Sequence, residues 1–169
     1  MCMETRALRA TDRPWVKTLV SEHFGSPRVV SRGRLHDALA LPGLVAERHG
    51  VSVGLLLYRL HQPQCEVVVL IAARRRQGIG RCLLAAVQSL AHAAGCQRLW
   101  LVTTNANQAA LAFYTAVGWR QVAVHGGAVR EARRLKPEIP ACGADGTPIE
   151  DEIEFECLLD RLVEGGGLA

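Results

Sequence analysis

The chain has no Gly-Lys pair, no Cys-x-x-Cys spacing and no apolar run near the ~20 residues that cross a bilayer. Without Gly-Lys there is no Walker-type phosphate loop, and a dinucleotide fingerprint fails because Leu83 stands where its third glycine belongs. The six cysteines (Cys2, Cys65, Cys82, Cys96, Cys142, Cys157) lack Cys/His ligand spacing, so reduced structural thiols are expected and no metal site. The segment Met1–Arg6 lacks the apolar core of a signal peptide, which predicts a cytoplasmic protein with no membrane partner. Aromatic residues are only 5% of the chain and no nucleic-acid-binding motif accompanies the arginines, so a nucleic-acid partner is disfavoured. No repeat or low-complexity linker interrupts residues 1–169, which are expected to form one domain.

What is present is apolar and unevenly charged. Apolar residues make up 49%, enough for a real core and too many for a disordered chain. Residues 1–140 hold 19 basic and 8 acidic side chains, a surplus of +11; residues 141–169 hold 1 and 8, a surplus of −7. A basic body suits a polyanionic ligand.

The clearest local pattern is a strand, a glycine turn and a helix. Cys65–Ile71 is short, β-branched and apolar, as a buried strand is. Ile79, Leu83, Leu84, Val87, Leu90, Ala91 and Ala94 recur at helical spacing, so a helix opens near Gly80. Between them lies Arg75-Arg76-Gln77-Gly78-Ile79-Gly80-Arg81. A helix N-terminus offers unpartnered N–H groups and partial positive charge, and glycines let a phosphate approach that backbone. The pattern predicts a socket for a phosphorylated ligand.

A second block follows some thirty residues on. A strand, Leu99–Thr104, leads to Asn107, Ala110, Tyr114, Gly118 and Trp119 in the order N-x-x-A-x-x-x-Y-x-x-x-G-W. Asn107 suits a helix N-cap and Gly118 a left-handed stop. Asn107, Ala110, Phe113, Tyr114 and Val117 share one helix face.

Together the two blocks resemble the GNAT superfamily of acyl-CoA N-acyltransferases. The turn matches its pyrophosphate signature, R/Q-x-x-G-x-G/A, at Arg75, Gly78 and Gly80. The resemblance implies a mixed α/β fold, a twisted, mostly antiparallel sheet of six to seven strands with helices on both sides. Its central strands would splay where acetyl-CoA, the co-substrate, enters. Backbone groups of Val68, Val69 and Leu70 would pair with the pantetheine arm and polarise the thioester. N–H groups from Arg76 through Gln77, Gly78, Ile79 and Gly80 to Arg81 would hold the pyrophosphate, with Arg75 adding charge; Asn107 would touch the pantetheine arm. Tyr114 would be the general acid that protonates the departing thiolate.

For the general base, family members acting on protein N-termini carry a glutamate in mid-strand before Asn107, but here that place is Val102. Glu66 is the best substitute, four residues before Leu70 and by alternation on its face, with Glu152 and Glu154 behind it. The implied activity is acetyl transfer to a primary amine of a small molecule or peptide, by direct attack in a ternary complex. A catalytically silent acyl-CoA-binding module is the alternative, and a homodimer is a further expectation.

Elsewhere the sequence predicts a strand over Thr5–Arg9, a helix capped by Thr11 or Asp12, and a second short helix over Val29–Leu41. A hairpin follows, with Gly43–Glu47 and Val51–Leu60 about a His49-Gly50 turn. After a strand at Gln121–His125 comes a charged segment and a long loop, Arg130–Pro148, expected to close over the acceptor. The last strand alternates Ile153, Phe155, Cys157 and Leu159 with Glu152, Glu154 and Glu156. That acidic face would draw a cationic acceptor (a polyamine, an aminoglycoside or a lysine side chain) or pair with Arg130, Arg133, Arg134 and Lys136.

Overall fold

A sharp hairpin stands where the sequence suggested a second helix, and it reshapes one side of the molecule. In the computed structural model, which describes residues 3–160, the chain runs β1 (Glu4–Ala7), α1 (Arg13–Phe24), β2 (Arg28–Ser31) and β3 (Arg34–Asp37). The β2–β3 turn is Arg32-Gly33, both left-handed at φ 47° and 73°. Two central residues with positive φ match the right-handed twist of the flanking strands, and the β-branched Val29-Val30 pair favours strand over helix. Strand β1 is shorter than expected because the Asp12 carboxylate accepts the Arg9 N–H at 2.7 Å and turns the chain. Gly25, at φ 80°, ends α1, and its N–H donates to the Ser21 carbonyl.

The remainder runs β4 (Gly43–Arg48), β5 (Val51–His61), β6 (Gln64–Ala72), α2 (Ile79–Ala93), β7 (Arg98–Thr104), α3 (Gln108–Ala116), β8 (Arg120–His125), α4 (Ala128–Leu135) and β9 (Glu152–Leu158). The strands form a seven-stranded sheet in the order β1-β4-β5-β6-β7-β9-β8, with β2 and β3 paired apart from it. Every pair in it is antiparallel except β6 with β7. The charged segment from Arg130 belongs to α4, which buries Val129 and Ala132, and the loop follows it.

Each face of the sheet has its own core. Leu56, Leu83, Val87, Leu99 and Phe155 pack under α2 and α3, while Val16, Val20, Leu55, Leu57, Val69 and Ile71 pack under α1. Gly54 lets α2 lie close, since a Cβ there would stand 2.4 Å from Ile79 Cγ2. No described helix is long and apolar enough to cross a membrane.

Strand β6 changes face partway. Leu57 pairs with Val69 but the next residue, Tyr58, pairs with Val67, so β6 carries one extra residue between them. As a result Cys65 and Val67 point into the α2–α3 core, whereas Val69 and Ile71 point into the α1 core. Glu66 and Leu70 therefore lie on opposite faces, contrary to simple alternation.

Candidate active site

Strands β6 and β7 are paired only from Gln64–Glu66 against Arg98–Trp100. Beyond that point β7 stays with β9 as far as Thr104, and β6 from Val67 onward has no strand on that side. The parting leaves a cleft of about 230 Å³ through the sheet. Val67, Val68 and Leu70 line one edge, Leu101 to Thr104 the other, and Asn107, Ala110 and Tyr114 of α3 close the near side. On the far side stand Val29, Val30 and Ser31 of β2, then Val129, Ala132, Lys136 and Ile139 in and after α4, and Glu152. Val68 and Leu70 thus reach the cleft as expected, while Val69 is 1% exposed and packs beneath α1, leaving only its backbone to act.

The glycine turn lies between the splayed end of β6 and α2. Arg76 and Gly78 are left-handed, at φ 61° and 76°, and Gly78 is the N-cap without any side-chain cap. The first N–H to close a helical bond on Gly78 is that of Cys82, so the N–H groups before it face outward. Helix α3 differs, since its Asn107 Oδ1 accepts the Ala110 N–H at 3.1 Å. Gly80 has a different role from Gly78: a Cβ there would come within 2.8 Å of Phe113 Cζ. Ile79 is buried and contributes only its backbone, while Arg75, Arg76 and Arg81 are exposed.

Gln77 is exposed and its side chain is tied to β4. Arg48, at the end of β4, donates to Gln77 Oε1 at 2.7 Å and to the Gln77 carbonyl at 3.2 Å. Arg48 Nε is buried without a partner among the described residues. Arg48 escaped the sequence reading because its contact spans 29 positions and carries no local signature.

Tyr114 is buried against Phe113, Trp119 and Phe155, with ring centroids 5.2, 5.9 and 5.6 Å away. Its hydroxyl makes no hydrogen bond among the described residues, and burial holds the phenol well above its usual range, so it stays protonated.

Glu66 is 4% exposed and lies just behind the cleft wall. Ser31, which lines the cleft, donates its hydroxyl to Glu66 Oε1 in a short hydrogen bond. His36 Nε2 stands 3.9 Å from the other oxygen and has no hydrogen-bond partner among the described residues. Burial raises the Glu66 pKa, and the Glu152 charge adds to this; the Ser31 bond and the charges of Arg59 and Arg34 pull the other way. The His36 pKa is lowered, chiefly by burial, which keeps the ring neutral.

The acidic face of β9 is spent mostly on its own sheet. Glu154 binds Arg98 and His125, and Glu156 binds Arg98 and Arg120, each at 2.6 Å. None of these partners is Arg130, Arg133, Arg134 or Lys136, a pairing that was one of the two roles the sequence left open for this face. Arg133 instead donates to the Ile139, Pro140 and Ile149 carbonyls, and Lys136 to the Phe24 and Arg28 carbonyls. Glu152 alone opens on the cleft, with Oε2 accepting the Arg32 N–H at 3.1 Å. The alternation put it on the right face; its lack of an ion-pair partner among the described residues depends on folding.

A sheet parted between two parallel strands, with a bare helix N-terminus beside the gap and a tyrosine inside it, is the arrangement that the resemblance to the acetyltransferase superfamily implies. The chain belongs to the acetyltransferase (GNAT) family, whose model matches residues 9–119. It is 38% identical over 141 residues to the uncharacterized protein YdhI of Bacillus subtilis (strain 168), covering 83% of this chain and 88% of that protein. Its fold is similar to an IAA acetyltransferase from Bacillus cereus ATCC 14579 (TM-score 0.71, 17% identity, 94% of this chain and 100% of the other). It is also similar to yncA, a putative acetyltransferase from Salmonella typhimurium solved with acetyl-CoA (TM-score 0.68, 18% identity, 99% and 100%).

Proposed function

We propose that the protein transfers an acetyl group from acetyl-CoA to a primary amine by direct attack in a ternary complex. The observation that carries this reading is the Tyr114 hydroxyl, protonated and without a protein partner, in the gap where β6 offers unpaired backbone. The residues fit the co-substrate. Outward N–H groups from Arg76 to Arg81 suit a pyrophosphate, the free edge at Val68 to Leu70 suits a pantetheine amide and thioester carbonyl, and Asn107 lies beside it. The acetyl-CoA bound to yncA supports the same choice.

The roles follow from the two sides of the cleft. The amine gives up a proton through the Ser31 hydroxyl to Glu66, whose raised pKa makes it a better base than an ordinary carboxylate. The nitrogen attacks the carbonyl carbon, the carbon–sulfur bond breaks, and Tyr114 protonates the departing thiolate. No described cysteine lines the cleft, so no thiol is placed to carry the acetyl group. The reading includes a cytoplasmic site of action, in keeping with the free thiols of Cys65, Cys82, Cys96, Cys142 and Cys157; Cys2 lies outside the described residues.

Calorimetric titration with acetyl-CoA and with a truncated form lacking the 3′-phosphate and pyrophosphate tests the socket, and thiol release with an amine panel tests turnover. Binding that needs the pyrophosphate, followed by amine-dependent thiol release, is expected. Binding without release from any amine would move the protein to a silent acyl-CoA-binding role.

A further inference from the structure

The far half of the cleft carries the chemistry that selects an acceptor. Its walls are apolar: Val29 and Val30 on the β2 side, Val129, Ala132 and Ile139 on the α4 side. One carboxylate opens among them. Glu152 is 5% exposed, and no ion pair engages it among the described residues. Its neighbours on the same strand face, Glu154 and Glu156, are held by Arg98, Arg120 and His125. The other ionic group in the cleft is Lys136, fixed by the carbonyls of Phe24 and Arg28.

We infer that the acceptor is a primary monoamine on an apolar, uncharged body, with its ammonium held by Glu152 on entry. The inference rests on the acetyl-transfer reading and names its substrate class. A buried carboxylate without an ion-pair partner is costly, and an arriving ammonium supplies that partner, since Lys136 in the same cleft is held by the Phe24 and Arg28 carbonyls. A second ammonium on the same molecule, as in a polyamine or aminoglycoside, would find no carboxylate and would face the Lys136 charge. The apolar walls reward a hydrocarbon or aryl body, as pockets with few polar groups do.

Glu152 and the proton path converge because consecutive residues reach both carboxylates: Ser31 through its hydroxyl to Glu66, Arg32 through its N–H to Glu152. Of the two protons the ammonium sheds, one passes through Ser31 to Glu66 and then to solvent. The second replaces the proton that Tyr114 gives to the sulfur, so the sum is amide, free thiol and one proton released.

Phenethylamine, spermidine and phenylalanine compared by thiol release at saturating acetyl-CoA test the inference, with acetyl-CoA affinity measured separately by calorimetry. Phenethylamine should exceed both others in kcat/KM by about tenfold or more. Glu152→Gln should raise the phenethylamine KM about thirtyfold, as loss of a buried charge partner does, without changing the Kd of acetyl-CoA. Val30→Asp, which adds a carboxylate to the same wall, should narrow the spermidine deficit; it carries the test if Glu152→Gln does not fold. A preference for spermidine or phenylalanine, or an unmoved KM in Glu152→Gln, overturns the inference while the acetyl-transfer reading stands. Failure to bind acetyl-CoA removes both together.

Discussion

At the scale of single residues, Tyr114 and Glu66 are two buried acids that are both pushed toward the protonated form and are asked for opposite work. Tyr114 keeps its proton at neutral pH because burial penalises the phenolate, and it can give that proton only when a strongly basic thiolate is being formed. Tyr114→Phe should lower kcat by roughly ten- to a thousandfold while the Kd of acetyl-CoA stays near native, measured by thiol release and calorimetry. An unchanged kcat would remove Tyr114 from the chemistry. Glu66, raised above its ordinary range, binds its proton more tightly folded than unfolded. Its contribution to stability is therefore full below the unfolded carboxylate pKa of about 4.3 and is lost as pH rises through the folded value. Glu66→Gln, neutral at every pH, should gain in Tm relative to the native protein as pH is raised across that window, and scanning calorimetry at several pH values would read it. Its kcat/KM should fall about a hundredfold or more, because the proton acceptor is gone. A Tm difference independent of pH would show that Glu66 is not the group that titrates there. Tyr114, Asn107, Gly78 and Gly80 were legible in the sequence because their spacing is local. That Glu152 is left without an ion pair among the described residues was not, because it depends on which arginines fold against β9.

At the scale of elements, α2 is held down by contacts that leave no room for a methyl group. Gly54→Ala would drive a Cβ into Ile79, and the lifted helix should cost about 1–3 kcal/mol, seen as a lower midpoint in denaturant. Gly80→Ala meets Phe113 instead, whose ring packs edge-on against Tyr114. It should therefore reduce turnover as well as acetyl-CoA affinity, whereas a change acting on the turn alone would reduce affinity only. Arg48→Ala is that second kind of change. It frees Gln77 and loosens the turn from β4, so the Kd of acetyl-CoA should rise about tenfold with kcat at saturation near native. A Kd equal to native would confine Arg48 to a surface role. The β2–β3 hairpin was misread as helix because hydrophobic spacing in so short a segment does not separate the two periods. The Arg32-Gly33 pair, read as a left-handed turn between short extended runs, would have decided it.

Across the whole molecule, the charge asymmetry of the sequence resolves into two different uses. The arginines of the turn at residues 74–76 and 81 stay exposed, whereas two late acidic side chains on β9, Glu154 and Glu156, are paired with Arg98, Arg120 and His125 along the sheet. Exposed charges are screened by salt and paired, partly buried ones much less so. The affinity for acetyl-CoA should accordingly weaken several-fold between about 0.05 M and about 0.5 M salt, while Tm changes little. A salt-independent Kd would place the phosphate contacts on backbone alone. Fold class was legible from the order of elements, and a mostly antiparallel sheet with splayed central strands followed from the family resemblance. The geometry that separates the two sides of the cleft was not, because it depends on where β6 and β7 cease to pair.

The extra residue in β6 makes that strand two half-strands written in opposite phase. Deleting the residue between Val67 and Val69 would restore an unbroken ladder with β5, and ordinary alternation would keep Val67 and Val69 on the opposite faces they occupy now. Relatives that lack the extra residue would match this chain on both sides of the site once a single gap is opened at Val68, and would be out of phase on one side without it.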